Sequence, residues 1–178
     1  VSPFVVSAGS VTFRQLTFVG YGVTCTASLS GQGTAITFAS GDRHIVEQCT
    51  FQAWYKHLWF QNCANWVVRD CYFDAASKYM IHIENVARPD SGDQVVSGNT
   101  FIVAGLWSLD AQVRQESAGG TKYSDNKFYA ATADRCIDVA VADGVNTSIL
   151  LLSNNSFERF LVSAIRITQA GPAFTGTF

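Results

Sequence analysis

A six-residue phrase recurs six times along this chain of 178 residues and restricts its possible folds more than any other feature. It reads apolar, two spacers, a small or amide residue, a polar residue and Phe. The copies are FRQLTF (Phe13 to Phe18), VEQCTF (Val46 to Phe51), VRDCYF (Val68 to Phe73), VSGNTF (Val96 to Phe101), YSDNKF (Tyr123 to Phe128) and LSNNSF (Leu152 to Phe157). Their final Phe residues are 33, 22, 28, 27 and 29 positions apart. At such periods each repeat is one supersecondary unit that can bury its apolar side only against its neighbours.

A second phrase alternates apolar with polar residues, the period of a half-buried strand. Its copies are AITF (35–38), HLWFQ (57–61), MIHIE (80–84), SLDAQ (108–112), CIDVA (136–140) and AIRIT (164–168). In five of the six it begins within eight residues of the Phe. The first copy lags behind a Gly/Ser/Thr-rich stretch, 19–33, which reads as one lengthened loop. No segment carries a capped 3.6-residue period, so no helix is expected. The period and the strands predict an all-β parallel β-helix of about six turns, stacked at roughly 4.8 Å. Leucines are too few for a leucine-rich horseshoe, and the hairpin turns of a β-sandwich are nearly absent.

Stacking converts the phrase into columns. Phe18, Phe51, Phe73, Phe101, Phe128 and Phe157 should form an interior aromatic file, each ring contributing about 2 kcal/mol. Two residues earlier stand Leu16, Cys49, Cys71, Asn99, Asn126 and Asn155, and the three asparagines should form an amide ladder along the axis.

Composition narrows the function. Twelve Lys+Arg against 14 Asp+Glu give a net charge of -2, which does not suit a surface that neutralises nucleic-acid phosphates. No apolar run approaches the ~18 residues of a membrane-spanning helix, so no membrane insertion is expected. The start, VSPFVVSAG, lacks the features of a signal peptide. Five cysteines (Cys25, Cys49, Cys63, Cys71, Cys136) make an odd, dispersed set that reads as reduced thiols in a core. They and His44, His57 and His82 fall in no zinc spacing, so no metal or other cofactor is expected.

With Asn at a corner and Phe just after it, residues 11–168 resemble the pectate-lyase-like right-handed β-helix superfamily. The resemblance implies a right-handed coil in which the MIHIE series lines a long sugar-binding groove. It is specific for fold rather than function, because the superfamily holds pectin lyases, polygalacturonases, bacteriophage tailspikes and modules without catalysis. The calcium-binding aspartate cluster and the polygalacturonase aspartate pair are missing. The chain looks most like the tailspike branch, which implies a homotrimer made in the host cytoplasm and carried in the phage tail; an extracellular or cell-surface place is the alternative. A single domain over 1–178, forming a piece of a longer solenoid, is expected.

If Ile81 and Ile83 point inward, His82 and Glu84 point out. Carried through the copies, one outward column reads Thr37, Trp59, His82, Asp110, Asp138, Arg166 and its neighbour Gln61, Glu84, Gln112, Ala140, Thr168. Aromatic, carboxylate and amide groups on one strip suit sugar rings and hydroxyls. Asp110 and Asp138 on adjacent rungs, with Glu84 on the diagonal, suit the ~5–10 Å that glycoside hydrolysis requires. Asp110, Asp138 and Glu84 are therefore the catalytic candidates, and Trp59, His82, Gln112 and Arg166 the substrate-binding ones. A structural ladder in which Arg166 neutralises Asp138 is the plainer alternative. A lyase would need His82 as base with Lys78 or Arg114 as neutraliser. Trp54, Tyr55, His57, Trp59 and Trp66 crowd one segment and form either a sugar platform or core. Two functions stay open: a tailspike-type enzyme that binds and hydrolyses a bacterial surface polysaccharide, and a non-catalytic receptor-binding or structural module.

Overall fold

The computed structural model describes residues 2–20, 33–84, 93–103, 109–116, 120–141 and 150–169. Residues 21–32 with Cys25, most of 86–93, Ser108 and Asn146 to Ser148 lie outside them. Every regular element among the described residues is a β-strand, and every strand pair is parallel. Among the described residues no helix is long and apolar enough to cross a membrane.

The strands assemble into three large open sheets that the chain visits in constant rotation, and Gly41–Asp42 and Cys63–Ala64 form a small two-stranded sheet beside them. The first sheet has seven strands, Phe4–Val6, Thr34–Phe38, Lys56–Gln61, Tyr79–Glu84, Leu109–Gln115, Ala133–Val141 and Ser163–Gln169, stacked in chain order. The second holds the apolar start of the repeated phrase, from Thr12–Arg14 through Val67–Arg69 to Leu150–Ser153. The third holds its Phe, from Thr17–Val19 through Tyr72–Asp74 to Ser156–Glu158. Parallel strands in sequential order, each one circuit after the last, are compatible with a solenoid.

The phrase bends sharply between the second and third sheets because its third residue takes a left-handed conformation. Gln15, Gln48, Asp70, Gly98, Asp125 and Asn154 have φ between 53° and 64°. Asn, Asp and Gly tolerate that region best. Gly98 also leaves room for its neighbour: a Cβ there would sit 2.4 Å from the Asp70 carboxylate of the preceding rung, which would have to turn aside.

Inside the bend the predicted columns are present. The six Phe rings of the third sheet pair in register and stack with centroids 4.7 to 5.1 Å apart and planes within 8° of parallel. Asn126 Nδ2 donates to Asn155 Oδ1 at 2.9 Å and to the Val96 carbonyl at 2.9 Å. Asn99 Nδ2 likewise reaches the Val68 carbonyl at 3.0 Å. Cys71 and Cys49 keep the pattern with a thiol: their Sγ atoms lie 3.6 Å from the carbonyls of Val46 and Phe13. Each thiol thus lies near the backbone carbonyl that the amides serve higher in the stack, while a carbonyl of its own rung, Glu47 at 3.3 Å or Arg69 at 3.2 Å, is nearer still. Cys49, Cys71 and Cys136 are free and buried, and Cys63 is buried.

Candidate functional site

The outer face of the first sheet is set by strand register. Backbone pairing aligns Thr37, Trp59, His82, Arg114, Asp138 and Arg166. Arg114, not Asp110, therefore occupies the fifth rung, and the expected adjacency of Asp110 and Asp138 is corrected. In Leu109–Gln115, Asp110, Gln112 and Arg114 share one alternation, so a slip of four residues leaves the same parity outward. Gln115 is the misleading residue: it is polar yet buried beside Ile83 and Val139, where Tyr123 Oη donates to its Oε1 at 2.9 Å.

In the true register Asp110 is opposite Lys78, whose Nζ donates to its Oδ2 at 2.6 Å, and its side chain is 59% exposed. Gln112 is also displaced from the groove position: it is fully buried, with Nε2 donating to the Tyr129 carbonyl at 2.9 Å. Glu116, one residue past the Ile83 and Gln115 pair, takes its place beside Glu84.

These side chains form a continuous polar row. Trp59 Nε1 donates to Glu84 Oε2 at 2.8 Å. Lys56 Nζ donates to His82 Nδ1 at 2.7 Å, and His82 Nε2 donates to Glu116 Oε2 at 3.1 Å. Arg114 Nε donates to Glu116 Oε1 at 2.9 Å, and its other end pairs with Asp138. Asp138 also accepts two bonds from Arg166, at 2.7 and 2.6 Å. Its side chain is only 1% exposed. Charge thus alternates along the axis, so nearly every charged head meets an opposite charge or a lone pair.

Electrostatics follow from that pairing. Burial alone would raise the Asp138 carboxyl, but Arg166 and Arg114 outweigh it and hold it below the usual carboxylate range. The hydrogen bond from His82, with Arg114 behind it, brings Glu116 down to about 2. Burial lowers the His82 imidazole, and Lys56 lowers it further against the pull of Glu116. Both nitrogens of His82 are engaged, so it has no free lone pair for a substrate proton. Asp110 on Lys78 lengthens the Lys78 ammonium's protonated range. The arrangement can hold a ligand by fixed donors, acceptors and a ring face.

Of the aromatic segment, His57 and Trp66 belong to the core: His57 lies alongside the stacked Phe51 and Phe73, and Trp66 stacks on Phe60 at 4.0 Å. Trp54 packs against that core. Trp59 is half-buried on the outer face, with Lys56 Nζ 3.9 Å from its ring centroid and His82 stacked at 5.8 Å. Lys56 and Tyr79 escaped the sequence pattern. They stand three residues before Trp59 and His82, and two successive buried positions (His57 and Leu58, Met80 and Ile81) intervene. Strict alternation cannot place a residue on one face three positions from its neighbour.

A comparable ion ladder on the second sheet, Arg14, Glu47 and Arg69, centres on a buried carboxylate held low by Arg69 and Arg14. It shows that axial charge pairing is also a structural device of this stack. Comparison with protein-family models, curated proteins and solved structures finds no match to the chain.

Proposed function

We propose that the chain is a segment of a right-handed parallel β-helix of the phage tailspike type whose first sheet binds a bacterial surface polysaccharide on its outer face. The supporting observation is Trp59: a half-exposed ring fixed through Nε1 by Glu84, stacked with His82 and in line with a row of oriented charges. A rigid ring with ordered donors and acceptors around it suits the apolar face and hydroxyl rim of a sugar. Binding without cleavage is favoured, because Asp138, Glu116 and Asp110 are each committed to a cation, whereas a general acid needs a carboxyl held protonated. The free buried thiols fit synthesis in the host cytoplasm before assembly into a phage-tail homotrimer.

One observation favours hydrolysis as a second reading. Glu84 and Glu116 stand on adjacent rungs, roughly 4.8 Å apart at the backbone, within reach of the separation used by retaining glycosidases. Both readings meet one experiment: titration of the protein with a panel of capsular and lipopolysaccharide O-chain preparations, followed by assay for new reducing ends. The binding function requires saturable binding by at least one polysaccharide, weakened about tenfold or more in Trp59→Ala, with no reducing ends released. Release that stops in Glu84→Gln would establish hydrolysis instead. Absence of binding across the panel would overturn both.

A further inference from the structure

We propose that Lys56 is a lid on the Trp59 ring and that His82 is its acid-operated catch, so that acidification uncovers the ring. As the regulation of a sugar site this rests on the polysaccharide-binding function; as a conformational switch it stands on the geometry alone.

The lid is held by two contacts. Its ammonium lies 3.9 Å from the centroid of the Trp59 ring and 2.7 Å from His82 Nδ1. Among the described residues no carboxylate lies within ion-pair distance of Lys56, unlike Lys78, Arg114 and Arg166. An ammonium can only donate, so the contact with Nδ1 requires a bare lone pair there. His82 must therefore carry its single proton on Nε2, which is the atom directed at Glu116 at 3.1 Å. The neutral ring is wedged between a donor on one side and an acceptor on the other.

A second proton can go only to Nδ1. It would replace the acceptor for Lys56 with an N–H and place two positive charges in contact at a site 6% exposed. The Lys56 side chain is the mobile partner, because His82 keeps its bond to Glu116 and gains strength in it as an ion pair. The groups that face His82 fix the direction. From the preceding rung come Lys56 and Trp59; from its own strand Tyr79 and Glu84; from the next rung Glu116 and Arg114. Glu116 stays ionised throughout the range in which a histidine titrates, since its carboxyl sits at about 2. Arg114 is committed to Glu116 and Asp138. Within the row, His82 is thus the group whose charge changes in acid, and it does so below the ordinary histidine range because burial and Lys56 oppose its second proton.

The test reads exposure of one ring and needs no sugar. Acrylamide quenching of tryptophan fluorescence, taken as the difference between the unmodified protein and Trp59→Phe, should rise about twofold as pH is lowered from 8 to 4, because a lowered imidazole takes its second proton below the ordinary histidine range. His82→Gln, which offers an acceptor to Lys56 but cannot titrate, should hold it at the low value throughout. Lys56→Ala should hold it at the high value. His44 and His57 remain in both variants, so a rise that persists in His82→Gln overturns the switch, as does a flat response in the unmodified protein. Nitrogen NMR of the unmodified protein guards against a misfolded variant: an Nδ1–H tautomer of His82 at pH 8 also overturns it. With a polysaccharide that binds, affinity should increase severalfold on acidification and lose that dependence in Lys56→Ala. Absence of any sugar binding, with the quenching change intact, refutes the carbohydrate function and leaves the switch standing.

Discussion

Asn99 donates through Nδ2 to Asn126 Oδ1 at 3.1 Å, and the same oxygen accepts the Asn99 backbone N–H at 3.0 Å. One buried amide thus satisfies two donors of the rung before it while its own Nδ2 serves Val96 and Asn155. Replacing Asn126 by Ala strands these groups together, so unfolding free energy in urea should fall by about 2–4 kcal/mol. Asn154→Gly, which keeps the left-handed bend and loses an exposed bond to Asp125, should cost less than about 1 kcal/mol.

The thiols of the same column suggest a gain. Cys71 Sγ already points at the Val46 carbonyl at 3.6 Å, where an asparagine amide would bond at the distance seen for Asn99 and Asn126. Cys71→Asn should extend the ladder by one rung and raise stability by about 0.5–1.5 kcal/mol. A loss above about 1 kcal/mol in the same denaturation measurement would mean that the bend at Cys71 lacks room for an amide.

Phe101 stacks between Phe73 at 4.9 Å and Phe128 at 4.7 Å and is fully buried. Phe101→Ala should cost about 3–5 kcal/mol, because the rungs on both sides hold the gap open.

Stability should decline in acid, and the sign is fixed by two groups. His57, fully buried with no hydrogen bond to either ring nitrogen, is pushed by burial down to about 3, the nearby Asp74 carbonyl offsetting this only in part. Below its unfolded value of 6.5 the unfolded chain takes a proton that the folded one refuses, so stability falls from pH 6.5 towards 3 by up to about 1.4 kcal/mol per unit. Glu116 acts in the same direction from 4.5 down to about 2. His57→Phe should flatten the upper part of that slope, as measured by denaturation midpoints at a series of pH values.

Asp138 and Asp110 separate the observed register from the alternative. Asp138→Asn leaves two guanidinium groups facing a neutral amide and should destabilise by about 3–5 kcal/mol. Asp110→Asn, at an exposed pair with Lys78, should change stability by no more than about 0.5 kcal/mol. Equal effects at the two positions would contradict the pairing of Arg114 with Asp138.

The columns were legible in the sequence because a stack of parallel rungs gives equivalent residues equivalent neighbours. Phe18 to Phe157 and Asn99 to Asn155 could be read from spacing alone, since a short local phrase decides both the left-handed bend and what lies inside it. The Trp59, His82, Asp138 and Arg166 alignment was legible for the same reason. Tertiary structure decided the rest. Nothing in the alternation of Leu109–Gln115 distinguishes Asp110 from Arg114; the choice is made by burying Val113 against Ile81 and Ile137 and by giving buried Gln115 a partner in Tyr123. Lys56 and Tyr79 reached the outer face across two consecutive buried positions, which no period-two pattern anticipates. Periodicity fixes which residues share a column, whereas register and ion pairing depend on packing between turns distant in sequence.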